Sequence, residues 1–64
     1  MDIKITIRTV GTEAISGVFN EFSSVEEAKE GFNKLLNQTE QFIDVSKTLI
    51  VNKNHIITVE FQKI

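Results

Sequence analysis

The sequence predicts an α+β fold in which a single helix packs on one face of an antiparallel sheet, in the order ββαββ. Three observations lead to this prediction. Apolar and polar residues alternate in the first and last stretches, as they do in half-buried strands. One amphipathic stretch with helix-start signals lies between them. The 64 residues also suit one small domain, spanning 1–64, with a limited core.

Two strands are expected before the helix. Residues 3–7 alternate isoleucine with lysine and threonine, which is the period of a strand with one buried face. Gly11-Thr12 supplies a turn, and residues 13–22 read as the second strand. Gly17, within that second strand, indicates either a β-bulge or the close approach of another backbone.

The helix is predicted to begin at Ser23 or Ser24. Each serine has a glutamate three residues later, so either register makes a capping box. Apolar residues then recur at helical spacing over residues 25–36, which predicts one buried stripe. The polar residues Asn37 to Thr39 end the helix.

The last third of the chain predicts two strands rich in β-branched residues, Thr48 to Val51 and Ile56 to Gln62. The polar residues 52–55, Asn-Lys-Asn-His, are predicted to be the turn of a hairpin between them, because asparagine tolerates the conformations of tight turns. Phe42 to Val45 is a shorter apolar stretch. If it forms a strand, the order becomes ββαβββ.

One helix covers only one face of a sheet, so some apolar residues are left without cover. The predicted core consists of Ile3, Ile5, Ile7, Phe19, Phe32, Leu35, Leu36, Leu49, Val51, Ile57, Val59 and Phe61. The residues left without cover, and therefore predicted to form an interface, are Val10, Ile43, Ile50, Ile56 and Ile64. Uncovered apolar patches are typical of interfaces, and small domains gain stability by association. The sequence therefore predicts a homodimer or a protein partner.

The residue types argue against catalysis. Cysteine is absent, and His55 is the one histidine. A serine–histidine–acid set would have to combine His55 with residues such as Ser46 and Asp44, and no nucleophile elbow is present. The spacings of zinc, calcium and phosphate-loop sites are also missing. The sequence thus predicts a protein that is not an enzyme and holds neither metal nor cofactor.

The charge and hydropathy patterns predict a cytoplasmic protein without a membrane partner. A net charge of −2 is too small for bulk attraction to a polyanion or a membrane surface. No apolar run reaches membrane-spanning length, and a cysteine-free chain fits a reducing compartment.

An alternative function is weak nucleic-acid binding. Lys4, Arg8 and Lys63 would form a basic ridge if the last strand pairs with the first, and phosphate neutralisation would then supply the affinity. Against this, the chain has neither tyrosine nor tryptophan on which bases could stack.

Val10 to Phe19 resemble the opening hairpin of Sm-like RNA-binding proteins, with a glycine turn, a second glycine and an apolar residue after it. The resemblance covers ten of the 64 residues. An Sm-like barrel would continue into a third long strand, whereas Ser23 to Glu27 begin a helix, so no RNA-binding residue is carried over.

In length and composition the chain is similar to small proteins of Gram-positive bacteria and their prophages. The leading prediction is a non-enzymatic protein that acts by protein–protein contact, as a homo-oligomer or as a modulator of a larger partner. Phage- and plasmid-type accessory proteins act in this way, by occluding a surface.

Overall fold

A computed structural model describes residues 1–11 and 13–64, over which the chain forms one α-helix and five strands. The order ββαβββ confirms the α+β class and shows that the apolar stretch after the helix is a strand. The turn after the first strand contains Gly11, at φ 74°, whereas Thr12 lies outside the described residues. The elements are β1 Ile3–Thr9, β2 Ile15–Phe19, α1 Val25–Leu36, β3 Phe42–Ser46, β4 Leu49–Asn52 and β5 Ile56–Lys63.

The strands form two antiparallel sheets, whereas the sequence predicted one. The three-stranded sheet has the order β2-β1-β5, and the two-stranded sheet consists of β3 and β4. The predicted hairpin between the last two strands is therefore wrong, because β4 pairs with β3 and β5 pairs with β1. Lys53–His55 instead form a 3₁₀ turn that carries the chain from one sheet to the other. The Asn52 side chain begins this turn by accepting a hydrogen bond from the Asn54 N–H at 3.0 Å.

The centre of the core is β1, which has a strand on each side. Its inner residues Ile3, Ile5 and Ile7 are buried. The ring of Phe32 on α1 meets that of Phe61 on β5 edge to face, with 6.1 Å between the ring centroids. The other buried apolar residues among those described are Ala28, Phe32, Ile43 and Val51.

A register shift between β1 and β5 reverses the predicted faces of two isoleucines. Arg8 is opposite Thr58 and Thr9 is opposite Ile56, so Ile57 has no partner across the ladder. An inserted residue of this kind shifts the alternation of inner and outer side chains. Ile56, predicted to be uncovered, packs against the core. Ile57, predicted to be in the core, is 63% exposed.

Ile43 is a second correction to the predicted interface. It is only 1% exposed, and it lies opposite Val51 on the inner face of the two-stranded sheet. The prediction that Ile43 is uncovered assumed a single sheet. A second sheet has an inner face of its own, and that face buries this residue.

The helix begins at Ser24, one of the two predicted registers. The Ser24 hydroxyl oxygen accepts a hydrogen bond from the Glu27 N–H at 3.1 Å. The neighbouring Ser23 hydroxyl donates to the Glu27 carboxylate, which adds a side-chain hydrogen bond to the first turn. At the far end, the Asn37 N–H donates to the Asn33 carbonyl. No helix within the described residues is long and apolar enough to cross a membrane.

Candidate binding cleft between the two sheets

β2 is an edge strand without the usual protection against pairing. Its residues Ile15–Phe19 include neither a charge nor a proline, and its register with β1 is regular. Natural edge strands commonly carry lysine, proline or a bulge that prevents further pairing. The opposite edge strand, β5, has the irregularity at Ile57 and also carries Glu60 and Lys63. The edge of β2 is therefore the one best suited to accept another strand.

A cleft of about 440 Å³ separates β2 from the hairpin formed by β3 and β4. This volume is in the range of ordinary ligand sites. Its floor is formed by two core residues, Ile5 and Ile7. The walls are formed by Ile15, Ser16, Gly17, Val18 and Phe19 on one side and by Val45, Ser46, Thr48 and Leu49 on the other. All of these side chains are uncharged and most are apolar, so the cleft presents a mainly apolar groove beside an open strand edge.

Gly17 leaves the cleft open at its centre. It lies directly opposite Ile5 in the ladder, so its inner face looks onto the cleft floor. Ile15 and Phe19, on either side, have side chains that are half-buried, but Gly17 has none to extend over Ile5. A Cβ at position 17 would lie 3.6 Å from the Phe19 ring, which is ordinary van der Waals contact. The predicted bulge or close backbone approach at Gly17 is therefore wrong. The missing side chain at Gly17 instead leaves empty space in the cleft.

A second cavity of about 360 Å³, the inner chamber, adjoins the cleft on the side of α1. The two share Ile5, Phe19 and Val45 as lining residues. The charged residues that line the inner chamber are Glu21 and Asp44, both exposed and both acidic. Neither has an ion-pair partner among the residues that the structure describes. Asp44 lies opposite the exposed Ile50, so its side chain belongs to the outer face of the two-stranded sheet, and Glu21 is the charged side chain that remains at this opening.

Two further grooves, of about 330 and 430 Å³, lie on the opposite side, between α1 and β5. Their rims carry Lys29, Glu30 and Lys53, so the charges have both signs. The Lys53 ammonium group already donates to the main-chain carbonyls of Leu36 and Gln38. These grooves run along the irregular strand β5 and are less suited to accept a strand.

The three exposed residues of the predicted interface do not form one patch. Val10 lies beyond the end of β1, where its N–H donates to the His55 carbonyl at 2.9 Å. Ile64 lies at the start of β1, where its N–H donates to the Asp2 carbonyl. A strand as long as β1 separates these ends by roughly 20 Å. Ile50 lies elsewhere, on the outer face of the two-stranded sheet.

The three basic residues of the predicted ridge do not share a face. β5 pairs with β1 as the ridge requires, but the register places Lys63 opposite Ile3. Directly opposed residues point to the same side of a sheet, so Lys63 belongs to the inner face and Lys4 and Arg8 to the outer face. Arg8 also forms an ion pair with Glu60, with 3.1 Å between Nε and Oε1.

The candidate catalytic residues are not brought together at the cleft. His55 is exposed on the 3₁₀ turn, whereas Ser46 lines the cleft and Asp44 lines the inner chamber. Within residues 1–11 and 13–64, no group of three histidine, aspartate or glutamate side chains is placed to hold a metal ion.

The cleft is a site that the sequence interpretation missed, although a signal for it exists. Gly17 occupies an inner position between two large apolar residues, in a short strand without charges. Comparison with protein-family models, with curated proteins and with solved structures found no match to this chain. The function is therefore inferred from the geometry of the cleft.

Proposed function

We propose that this protein acts by contact with another protein, and that it binds an extended segment of its partner in the cleft between β2 and β3. The segment adds to β2 as a further strand. This mode of recognition uses main-chain hydrogen bonds for affinity and pockets for alternate side chains for specificity. The protein acts as a non-enzymatic modulator that occupies a segment of a larger partner.

One observation carries this proposal: the edge of β2 is unprotected and borders an apolar cleft. Unpaired N–H and C=O groups along an edge strand are a template for another chain. Most edge strands that avoid this outcome carry a charge or a bulge, and Ile15–Phe19 carry neither. The open edge and the adjoining cleft therefore support binding of an extended segment.

The shape of the cleft matches alternate side chains of a strand. Successive residues of a strand point to opposite faces, so every second side chain of the segment would enter the cleft. The space over Ile5, beside Gly17, accepts the largest of them. Burying a leucine-sized side chain there contributes about 1.5–3 kcal/mol.

The geometry of the cleft favours protein–protein contact over nucleic-acid binding as the function. The cleft is lined by uncharged side chains, which offer phosphate groups no positive charge to neutralise them. The basic residues Lys4 and Arg8 share the outer face of β1, but Arg8 is paired with Glu60.

The proposal is tested with a neutral heptapeptide, acetylated and amidated, of sequence norleucine-Thr-Val-Thr-Leu-Thr-Val. Its first, third, fifth and seventh side chains face the cleft, with leucine opposite Gly17. We expect sub-millimolar binding, stronger than about −4 kcal/mol. Amide shifts in a ¹H–¹⁵N correlation spectrum of the whole protein should change along β2 and β3.

Two matched controls identify strand addition. The same peptide with N-methyl groups on the residues that face β2 cannot donate hydrogen bonds and should not bind. The Gly17→Val variant should also lose binding, because its side chain enters the cleft, whereas Thr6→Val, on the outer face of β1 and outside the cleft lining, should retain it. Absence of binding by the unmodified peptide, or equal binding by its N-methylated form, would contradict the proposal.

The solution mass distinguishes a second copy from a different partner. If a homodimer forms and Gly17→Val abolishes it, a second copy fills the cleft and replaces the partner segment in this account. A mass that stays monomeric while the peptide binds supports a separate partner. Light scattering across a range of protein concentrations decides between these results.

A further inference from the structure

We infer that the partner segment carries an aromatic side chain, of the size of phenylalanine, that fills the inner chamber. This inference rests on the proposed function and specifies the chemistry of the partner. It assigns two pockets to one site: the cleft takes aliphatic side chains of the segment, and the inner chamber takes a ring near its N-terminal end.

Three phenylalanines line the inner chamber and give it aromatic walls. Phe32 is buried, whereas Phe19 and Phe22 are half-buried. The rings of Phe19 and Phe22 already form a tilted pair, with 6.5 Å between their centroids. Aromatic rings at such separations gain offset or edge-to-face contacts beyond the burial of apolar area. A ring of the partner would therefore bind here more tightly than an aliphatic side chain of similar area.

The inner chamber has the volume that an aromatic ring needs. It measures about 360 Å³, whereas an apolar cavity of roughly 150 Å³ accepts benzene. Ile5, Leu35 and Val45 add aliphatic surface to the aromatic walls. The carboxylate of Glu21 is exposed at the opening, so it stays in water while a ring occupies the chamber.

Gly31 leaves the inner chamber open on the side of α1. It lies within the helix at a φ that is not positive, and glycine weakens a helix interior relative to alanine. A Cβ at position 31 would lie 3.4 Å from the Phe22 ring, which is ordinary van der Waals contact, so the fold does not require glycine there. Gly17 likewise lines the cleft without filling it. Two glycines thus keep adjoining spaces open although each lowers stability, which supports a site with an occupant.

The position of the aromatic residue in the segment follows from the direction of the strands. Glu21 and Phe22 line the inner chamber just beyond Phe19, where β2 ends. Antiparallel pairing is the more common arrangement, and a segment antiparallel to β2 has its N-terminal end at this place. The aromatic residue should therefore precede the aliphatic residues that fill the cleft.

The test compares three peptides that differ only at the first position of the heptapeptide: phenylalanine, norleucine or alanine. We expect the phenylalanine peptide to bind about two- to tenfold more tightly than the norleucine peptide, and the alanine peptide to bind most weakly. A fourth peptide, with norleucine first and phenylalanine at the seventh position, should gain nothing over the norleucine peptide. Titration calorimetry measures the four affinities.

Nuclear Overhauser effects locate the ring without any change to the protein. Leu35 lines the inner chamber and not the cleft, whereas Leu49 lines the cleft and not the inner chamber. In the complex with the phenylalanine peptide, the ring protons should show contacts to the Leu35 methyl groups and none to those of Leu49.

A pair of variants on α1 tests whether the chamber reads the ring. Gly31→Leu adds a side chain to the chamber lining and should remove most of the preference for phenylalanine, while affinity for the alanine peptide stays within about twofold. Glu30→Leu is the matched control, because Glu30 lines the groove on the other side of α1. It should leave the preference intact.

The possible results separate this inference from the proposed function. If the phenylalanine and norleucine peptides bind equally well, the inference is wrong and strand addition stands. The inference is also wrong if the preference persists in Gly31→Leu, if the ring contacts Leu49 instead of Leu35, or if phenylalanine at the seventh position gives the tighter complex. If none of the peptides binds, the proposed function itself fails.

Discussion

β1 and β2 are neighbours in the same sheet, yet one is enclosed and the other is open. All three inner residues of β1 are buried, because strands flank it on both sides. β2 has a strand on one side, and its inner positions are two half-buried residues with Gly17 between them. The hydrophobic core ends at β2 for two reasons. Gly17 has no side chain to extend it, and β2 has no neighbouring strand on its outer edge among the described residues.

The largest expected effect tests the enclosed strand against the open one with the same substitution. Ile3→Ala removes a fully buried side chain and should lower the free energy of unfolding by about 3–5 kcal/mol. Ile15→Ala, beside the cleft, should cost only about 1 kcal/mol, because fewer atoms surround it.

Chemical denaturation followed by circular dichroism measures both values. A domain of this size has a total stability of roughly 3–10 kcal/mol, so Ile3→Ala should remove a large fraction of it. Equal losses for the two variants would mean that β2 is as enclosed as β1, which contradicts the comparison.

Loss of the helix cap should have a smaller effect on stability and should leave peptide binding in the cleft unchanged. Ser24→Ala removes the acceptor for the Glu27 N–H and should lower stability by about 0.5–2 kcal/mol. Ser23→Ala, which loses a bond between two exposed side chains, should cost less. Peptide affinity at a temperature where both proteins are folded should stay at the original value. A strong loss of affinity in Ser24→Ala would show that α1 and the cleft are coupled.

Filling the space beside Gly17 with a side chain should stabilise the protein. Gly17→Val adds a β-branched side chain over Ile5 and removes the flexibility of glycine, so the free energy of unfolding should rise by about 0.5–1.5 kcal/mol. Thr6→Val, on the outer face of β1, is the control for an apolar β-branched side chain that does not fill the cleft. Thermal unfolding measures both variants. A destabilised Gly17→Val protein would mean that the space beside Phe19 is too small for a side chain.

The smallest expected effect lies on the outer face of the enclosed strand. Arg8→Gln breaks the ion pair with Glu60, in which both side chains are more than half exposed. Exposed pairs contribute little, so stability should change by less than about 1 kcal/mol and should depend weakly on salt. Denaturation at low and high salt checks this. A loss comparable to that of Ile3→Ala would contradict the assignment of this face as a surface.

Much of the fold can be predicted from the sequence, because strands and helices follow local patterns. The alternation in β1, the apolar stripe of α1 and the cap at Ser24 each correspond to the structure. The strand partners could not be predicted in this way. Apolar runs show which residues form strands, but the pairing of β4 with β3 depends on contacts between distant residues.

Each residue whose burial was predicted wrongly has its own physical reason. The unpaired Ile57 shifts the alternation along β5, and no residue type in that stretch signals an inserted residue. The sequence predicts Ile43 outside the core because its pattern does not reveal the second sheet, whose inner face buries this residue. The cleft depends on both the split into two sheets and the glycine in β2, so it could not be deduced from either alone.

Strand addition at β2 is tested most directly by amide hydrogen exchange, measured by NMR in the whole protein with and without the norleucine heptapeptide. In a strand paired on one side, alternate amides are protected and the others exchange freely. If the peptide adds to β2 as a strand, the freely exchanging amides of Ile15–Phe19 should become protected when it is added, while those of β5 do not change. Protection of every β2 amide before the peptide is added, or no change afterwards, would contradict it.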